Sequence, residues 1–323
     1  MIKKMWTSLH AKVHQTLKDS LILPHQSNIL IAVSGGQDSL CLLKLIVDLQ
    51  SKWGWKIAIG HCDHGWASDI GIADHVRELA YHWNIPFYLK VAEAMKETEA
   101  AAREWRYQSL VEIANKNEFT EVVTGHTLSD RAETLLYNLI RGSGSKGLGS
   151  LTWKRPLSNK ISLVRPLLKV SRPETLAFCQ QFDLPIWEDA VNANLDYARN
   201  RIRQQLLPYL KDHFNPNVES TLSQTSEVLK TESDYLESEA NKILIASFNN
   251  SKQQLNRDIL KPIPLALQRR VIRQFLEKII IRKPNFEQIE ETVNLINAPR
   301  RSRTSSFPGN IILEVEENYI IKK

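Results

Sequence analysis

The chain has 323 residues, 42% of them apolar and 24% charged, which is enough for two domains with separate cores. Basic residues outnumber acidic ones by 42 to 36, a net charge of +6 that mildly favours a polyanionic partner. The absence of low-complexity tracts, of any apolar run of ~18 residues and of an apolar segment after the amino-terminal Met-Ile-Lys-Lys excludes fibrous, membrane-spanning and signal-bearing classes, so the expected compartment is the cytoplasm.

Cys41, Cys62 and Cys179 are far apart and form no Cys-x-x-Cys pair, so neither a disulfide framework nor sulfur-transfer chemistry is suggested. Residues 5–20 bring Trp6, Leu9, Val13 and Leu17 to one face and predict a short amphipathic helix. Ile29 to Val33 form a continuous, largely β-branched apolar run, as in a parallel strand covered on both faces. Ser34-Gly35-Gly36-Gln37-Asp38-Ser39 then removes side-chain bulk at a sharp turn, and Leu40, Leu42, Leu43, Ile46, Val47 and Leu49 recur at helical spacing. A strand, a glycine loop and a helix start together make an anion site. The loop lacks the Lys of Walker A and the third Gly of the dinucleotide fingerprint.

A second buried strand, Ile57 to Gly60, runs into His61-Cys62-Asp63-His64-Gly65. Adjacent residues at a strand end point in different directions and no second Cys/His pair follows, so a strand-end loop facing a nucleotide crevice is expected here, not zinc. A helix over 69–83, a strand over 87–91 and a helix over 97–117 follow, the last carrying Arg103 and Arg106 one turn apart. The strand 121–125 leads to His126 and a helix opened by Ser129, on whose first turn Asp130 and Glu133 share a face. Two acids there complement the helix dipole or grip an ammonium group. Arg141 to Gly149 is a glycine-rich loop too long for a tight turn.

A strand over 161–165 precedes the capping box Ser171-Arg-Pro-Glu174, which opens a helix through Phe182. Arg199, Arg201 and Arg203 cannot all face one side of a helix, so some must meet an anion, with RNA or ATP phosphate as candidates. Composition shifts near residue 212, giving domains at 1–212 and 213–323. The second holds a long polar helix to about Phe248, helices over 264–281 and 285–297, and a hairpin of 304–307 with 311–321 around Pro308-Gly309-Asn310.

The string Ser34–Ser39 resembles the pyrophosphate loop of the ATP pyrophosphatase (PP-loop) superfamily, whose members cleave ATP between the α and β phosphates. The wider set resembles one family, tRNA(Ile)-lysidine synthetase. That set comprises His61-x-Asp63-His64-Gly65, Ala101-Ala102-Arg103 with Arg106-Tyr107, Gly125-His126, Asp130-x-x-Glu133-Thr134 and Arg141-Gly-Ser-Gly. It continues with Arg165-Pro-Leu-Leu, Glu188-Asp189-x-x-Asn192 and Arg199 to Arg203. The resemblance implies an α/β fold with a parallel sheet and helices on both faces, similar to adenine nucleotide α-hydrolases, and a smaller, mostly helical domain that contacts tRNA.

It also implies a ligase that adenylates the wobble cytidine of an isoleucine tRNA with a CAU anticodon and joins free L-lysine to its 2-position, using ATP and Mg2+. In that reading Ser34, Gly35, Gly36, Gln37, Asp38 and Ser39 bind ATP, with Asp38 as the Mg2+ contact. Asp130 and Glu133 hold the lysine, and Arg103 and His126 join them and Asp38 in catalysis. Arg106, Arg199, Arg201 and Arg203 meet phosphate or tRNA. No membrane partner is expected, and a homodimer is left open. Where the family usually has Asp-Asp-Gln, this chain has Ser129-Asp130-Arg131, so a role for the first carboxylate does not carry over, and Arg131 is expected to face phosphate or solvent. The nearest rival is a tRNA cytidine thiolase, disfavoured by the missing Cys-x-x-Cys; a non-catalytic nucleotide- or RNA-binding protein is the rival from another class.

Overall fold

A computed structural model describes residues 5–66, 69–93, 98–149, 151–187 and 194–323. Among these no helix is long and apolar enough to cross a membrane. They form two compact units, Met1–Val228 and Leu229–Lys323.

The first unit is built on a six-stranded sheet. Its elements are α1 (Ser8–Ser20), β1 (Asn28–Ala32), α2 (Gln37–Trp53), β2 (Lys56–Asp63), α3 (Ile72–His82), β3 (Phe87–Val91) and α4 (Glu99–Lys116). They continue with β4 (Glu121–Thr124), α5 (Leu128–Ile140), α6 (Ser145–Leu148), β5 (Lys154–Pro156), β6 (Ser162–Val164) and α7 (Arg172–Gln181). The strand order is β3-β2-β1-β4-β6-β5, parallel except for β5, an antiparallel edge strand that sequence periodicity did not reveal. Three residues are too few to display an alternation.

Central β1 is apolar throughout because both of its faces are covered. Ile29 and Ile31 point into a core built with Leu9, Val13 and Leu17 of α1, the apolar face of α2, and Phe178 of α7. Leu30 points the other way, onto Leu110, Ile113 and Ala114 of α4. β1 lies between β2 and β4, with Ala32 level with both Gly60 and Thr124. The chain leaves this central strand toward opposite sides, and the crevice so formed at the carboxyl edge is where ligands sit in such sheets.

Beyond α7 come α8 (Ala198–Arg201), a π-helical turn over Ile202–Leu206, α9 (Leu207–His213) and α10 (Val218–Ser247). The division between units falls inside α10 and not at the composition shift near 212. Its first turns belong with the first unit because Val218 and Leu222 pack on Ala132, Leu136, Ile202 and Leu207.

The second unit packs α12 (Leu265–Ile279) and α13 (Phe286–Asn294), preceded by the short α11 (Arg257–Leu260), on a four-stranded antiparallel sheet. That sheet, in the order β7-β8-β10-β9, joins β7 (Phe248–Asn249), β8 (Gln254–Asn256), β9 (Leu313–Glu316) and β10 (Tyr319–Lys322). Phe275, Leu276, Leu313, Val315 and Ile320 are fully buried between them. The expected strand 311–321 is two strands. Glu317 takes φ +52° and breaks the run, so the hairpin proper is β9–β10, while Phe307 and Ile311 make only an isolated bridge around Pro308-Gly309-Asn310.

Candidate active site

The loop after β1 has the conformation an anion needs. Gly35 sits at φ +87°, and a Cβ there would lie 3.3 Å from both Ile72 Cγ2 and Trp187 Cβ, so dihedral and space both demand glycine. Helix α2 starts at Gln37 behind Gly36 with no side-chain cap, leaving its first amides for a ligand. Ser39 braces the turn: its hydroxyl accepts from the Ser34 amide at 3.2 Å and donates to the Gly36 carbonyl at 2.8 Å. Gly125, just past β4, makes this packing possible. A Cβ on it would lie 2.7 Å from the Asp38 carbonyl oxygen, inside any tolerable contact.

Three carboxylates from two helices converge below the loop. Asp38 belongs to the first turn of α2 and Asp130 to the first turn of α5, with Glu133 three residues further on the same face. Arg172, the first residue of α7, joins all three. Its Nε donates to Asp38 Oδ2 at 3.1 Å, its Nη2 to Asp130 Oδ1 at 2.6 Å and its Nη1 to Glu133 Oε1 at 2.7 Å. Arg203 adds a forked contact to Glu133, 2.9 and 3.0 Å. Two guanidiniums thus face three carboxylates, and the cluster retains net negative charge.

The titration directions follow from that imbalance. Burial pushes the Asp38 carboxyl up, since its one guanidinium is divided among three acids and the Asp130 charge opposes ionisation. Asp130 is held below the usual range in spite of burial, because Arg172 and the Thr127 amide and hydroxyl stabilise its anion. Burial would depress Arg172, but Asp130, Glu133 and Asp38 together raise it, so it is charged throughout.

Arg172 escaped the sequence reading because it stands inside a capping box, where Ser171 and Glu174 account for the local pattern. The available signal was topological: a charged residue in the loop beyond the carboxyl end of β6. Glu133 also differs from expectation. Its side chain is 4% exposed and both oxygens are taken by Arg172 and Arg203, so it holds those guanidiniums, while Asp130 borders open space.

A cleft of roughly 420 Å³ opens over this floor. Among its lining residues are Ser34, Asp38, Ser39, Arg103, Arg106, His126, Asp130, Arg172, Arg199 and Arg203. Gly35, Gly36 and Gln37 belong to the loop and the start of α2 but do not line the cleft. The Gln37 amide donates to the Arg172 carbonyl at 3.1 Å and the Thr175 hydroxyl at 3.0 Å, bracing α2 against α7. Arg201 turns away from the cleft toward a separate cavity. Arg199 is paired with Glu99 at 2.9 Å, whereas Arg103 and Arg106 have no carboxylate partner among the described residues. Burial, with the charges of Arg165, Arg106 and Arg103, lowers His126 to a pKa of about 3, so its imidazole is neutral near pH 7 and adds no positive charge.

The side chains at the end of β2 diverge. His61 Nδ1 meets the Val33 carbonyl at 2.7 Å, Cys62 lies on the Arg106 carbonyl with its thiol pushed up to about 12 by burial, and His64 contacts Asp69 at 3.3 Å. Arg131 faces neither phosphate nor solvent, contrary to expectation. It is buried, donating to the Leu151 carbonyl and, at 2.9 Å, to Glu227, with Trp153 against its guanidinium. Residue 131 points to the side of α5 away from Asp130, as helical geometry requires of neighbours. Ser129 donates to Glu219, so a carboxylate from α10 stands beside the position where the family usually carries Asp. Glu188, Asp189 and Asn192 lie outside the described residues.

Fold and site define a nucleotide-cleaving enzyme of the PP-loop class, and residues 5–210 match the family model described as a PP-loop domain. A solved U34-tRNA thiolase from Methanococcus maripaludis shares this fold, with a TM-score of 0.57 at 17% identity over 69% of this chain and 77% of its own. Residues 255–313 match the TilS substrate binding domain. A tRNA(Ile)-lysidine synthase from Nostoc sp. is 51% identical over 98% of this chain and 97% of its own length. One from Synechocystis sp. is 52% identical over 98% and 97%, and a chloroplastic one from Zygnema circumcarinatum 38% over 87% and 77%. The chain belongs to the tRNA(Ile)-lysidine synthase family.

Proposed function

We propose that this enzyme joins free L-lysine to the 2-position of the wobble cytidine in an isoleucine tRNA with a CAU anticodon, changing its reading from AUG to AUA. One observation carries the reading: an anion-type loop flanked by the unpaired Arg103 and Arg106 shares a single cleft with a carboxylate floor in excess negative charge. One half suits the phosphates of ATP and the other a cationic amino acid.

In the first step the cytidine 2-oxygen attacks the α-phosphorus and pyrophosphate leaves, its charge met by the loop amides, Arg103 and Arg106. In the second the uncharged ε-amine of lysine attacks carbon 2 and AMP departs with the oxygen. Asp130 is proposed to meet the α-ammonium of the lysine directly, with Glu133 and Arg172 fixing its position. Asp38 suits Mg2+, which commonly takes one or two carboxylates together with substrate phosphates and neutralises a departing pyrophosphate. Neutral His126, beside Asp130, offers hydrogen bonds without competing for phosphate charge. ATP, free lysine and tRNA meet in the cytoplasm, which is the proposed compartment.

The test is incorporation of labelled free lysine into tRNA transcripts with ATP and Mg2+. Label should enter the isoleucine CAU transcript and not the elongator methionine transcript that shares its anticodon. Pyrophosphate release with no label on either would leave the adenylating core standing and remove lysine from the reading.

A further inference from the structure

Beside the catalytic cleft lies a second cavity, of about 650 Å³, which the proposed reaction does not use. It forms between the last turn of α5 and the helical segment 198–209, bordered by Tyr137, Ile140, Arg141, Arg201, Leu206 and Tyr209. Its chemistry is unlike that of an ordinary surface dip. Ile140 and Tyr209 are 66% and 54% exposed, and among the described residues no acidic side chain lines it. Arg141 lies 5.2 Å from the Tyr137 ring and donates to its hydroxyl at 2.7 Å. Arg201 reaches only the Leu195 and Asp196 carbonyls, at 2.7 and 3.1 Å. Among the described residues neither arginine is paired with a carboxylate.

The two cavities share a wall. Ala198 lines the second and Arg199 the first, and the Arg199 guanidinium sits 5.3 Å from the centre of the Tyr137 ring.

Resting on the functional reading above, we propose that the second cavity takes the unpaired nucleotide adjoining the target cytidine. Tyr209 offers its face to the base, Tyr137 holds Arg141 and Arg199 against its ring, and Arg141 and Arg201 meet the flanking phosphates. Aromatic faces with unpaired guanidiniums are what single-stranded RNA requires, and stacking tolerates any base. An apolar partner protein, or a second copy of this chain, would leave two guanidiniums desolvated without an anion; RNA supplies the anions.

The test uses the full-length enzyme and a fluorescent anticodon stem-loop of the CAU isoleucine tRNA. Tyr209→Ala should weaken stem-loop binding about tenfold, the size of one lost base stack, with KM for ATP and lysine unchanged and Tyr209→Phe restoring affinity. An abasic residue beside the cytidine should weaken the parent to the same degree and the Tyr209→Ala variant no further. Undiminished binding by Tyr209→Ala, or a loss that adds to that of the abasic RNA, overturns the proposal. Should the variants fold poorly, the parent enzyme decides: 4-thiouridine beside the cytidine should crosslink to residues 137–141 or 198–209, and crosslinks elsewhere overturn it. Loss of self-association in Tyr209→Ala, with RNA affinity intact, would assign the surface to a second copy and overturn it too. A parent enzyme that places no lysine on the transcript would count against the functional reading instead, so the two failures are distinct.

Discussion

Each unit of the chain contains an arginine–carboxylate cluster, and the two are built with opposite stoichiometry. In the second unit Glu237 alone accepts from Arg270 at 2.5 Å, from Arg273 and from Gln274 at 3.1 Å. Burial opposes its ionisation, yet those donors hold its carboxyl below the usual range. In the first unit three carboxylates share Arg172 and Arg203, and Asp38 is pushed up. Similar groups thus serve two ends. A carboxylate surrounded by donors ties α10 to α12 and asks for nothing more. Carboxylates that outnumber their guanidiniums keep a standing demand for another cation, which is the condition for binding one.

The sharpest break is expected at Asp38. Asp38→Ala should cut ATP-dependent pyrophosphate release by more than about 100-fold, the scale of losing a principal electrostatic contact; near-normal release would remove Asp38 from the chemistry. Gly125→Ala comes next, because its Cβ would lie 2.7 Å from the Asp38 carbonyl and must displace the start of α2. A fall of roughly tenfold in the same assay and about 1–3 kcal/mol of stability are expected. Parent-like rate and melting together would mean that the two segments are not held this tightly.

Arg172→Gln tests the imbalance itself. It should cost about 2–3 kcal/mol at pH 7, and the deficit should narrow by pH 5. Without the guanidinium the folded pKa values of Asp38 and Asp130 rise; a raised carboxyl stabilises the fold below its unfolded pKa, near 4, and loses that contribution as pH rises through the folded value. Urea unfolding at the two pH values decides, and a deficit equal or larger at pH 5 would contradict the account. The smallest effect on chemistry is expected from Glu237→Gln. It should lower stability by about 1–2 kcal/mol and leave pyrophosphate release unchanged; a slower adenylation step would end the distinction between the clusters.

Much of this was legible in the sequence because it depends on local pattern. The apolar run of β1, the glycine at a positive φ and the pairing of Asp130 with Glu133 on one helical turn all follow from rules that operate within a few residues. The motifs of the first unit were therefore readable in order, together with the family they resemble. What could not be read was set by contacts distant in sequence. Arg172 becomes the hub of the site only because α7 packs against α2 and places it 134 residues from Asp38 in sequence but 3.1 Å away in space. Arg131 looks like a charge intruding on the lysine site until α10 brings Glu227 to it. Gly125 reads as an ordinary strand-end glycine until the start of α2 is laid across it. Sequence by itself determined the main strands, loops and helices of the first unit, short β5 excepted, and which residues can carry charge. Only the tertiary structure decided which charges face one another, because Coulomb energy depends on distances that parallel crossovers set between segments far apart in the chain.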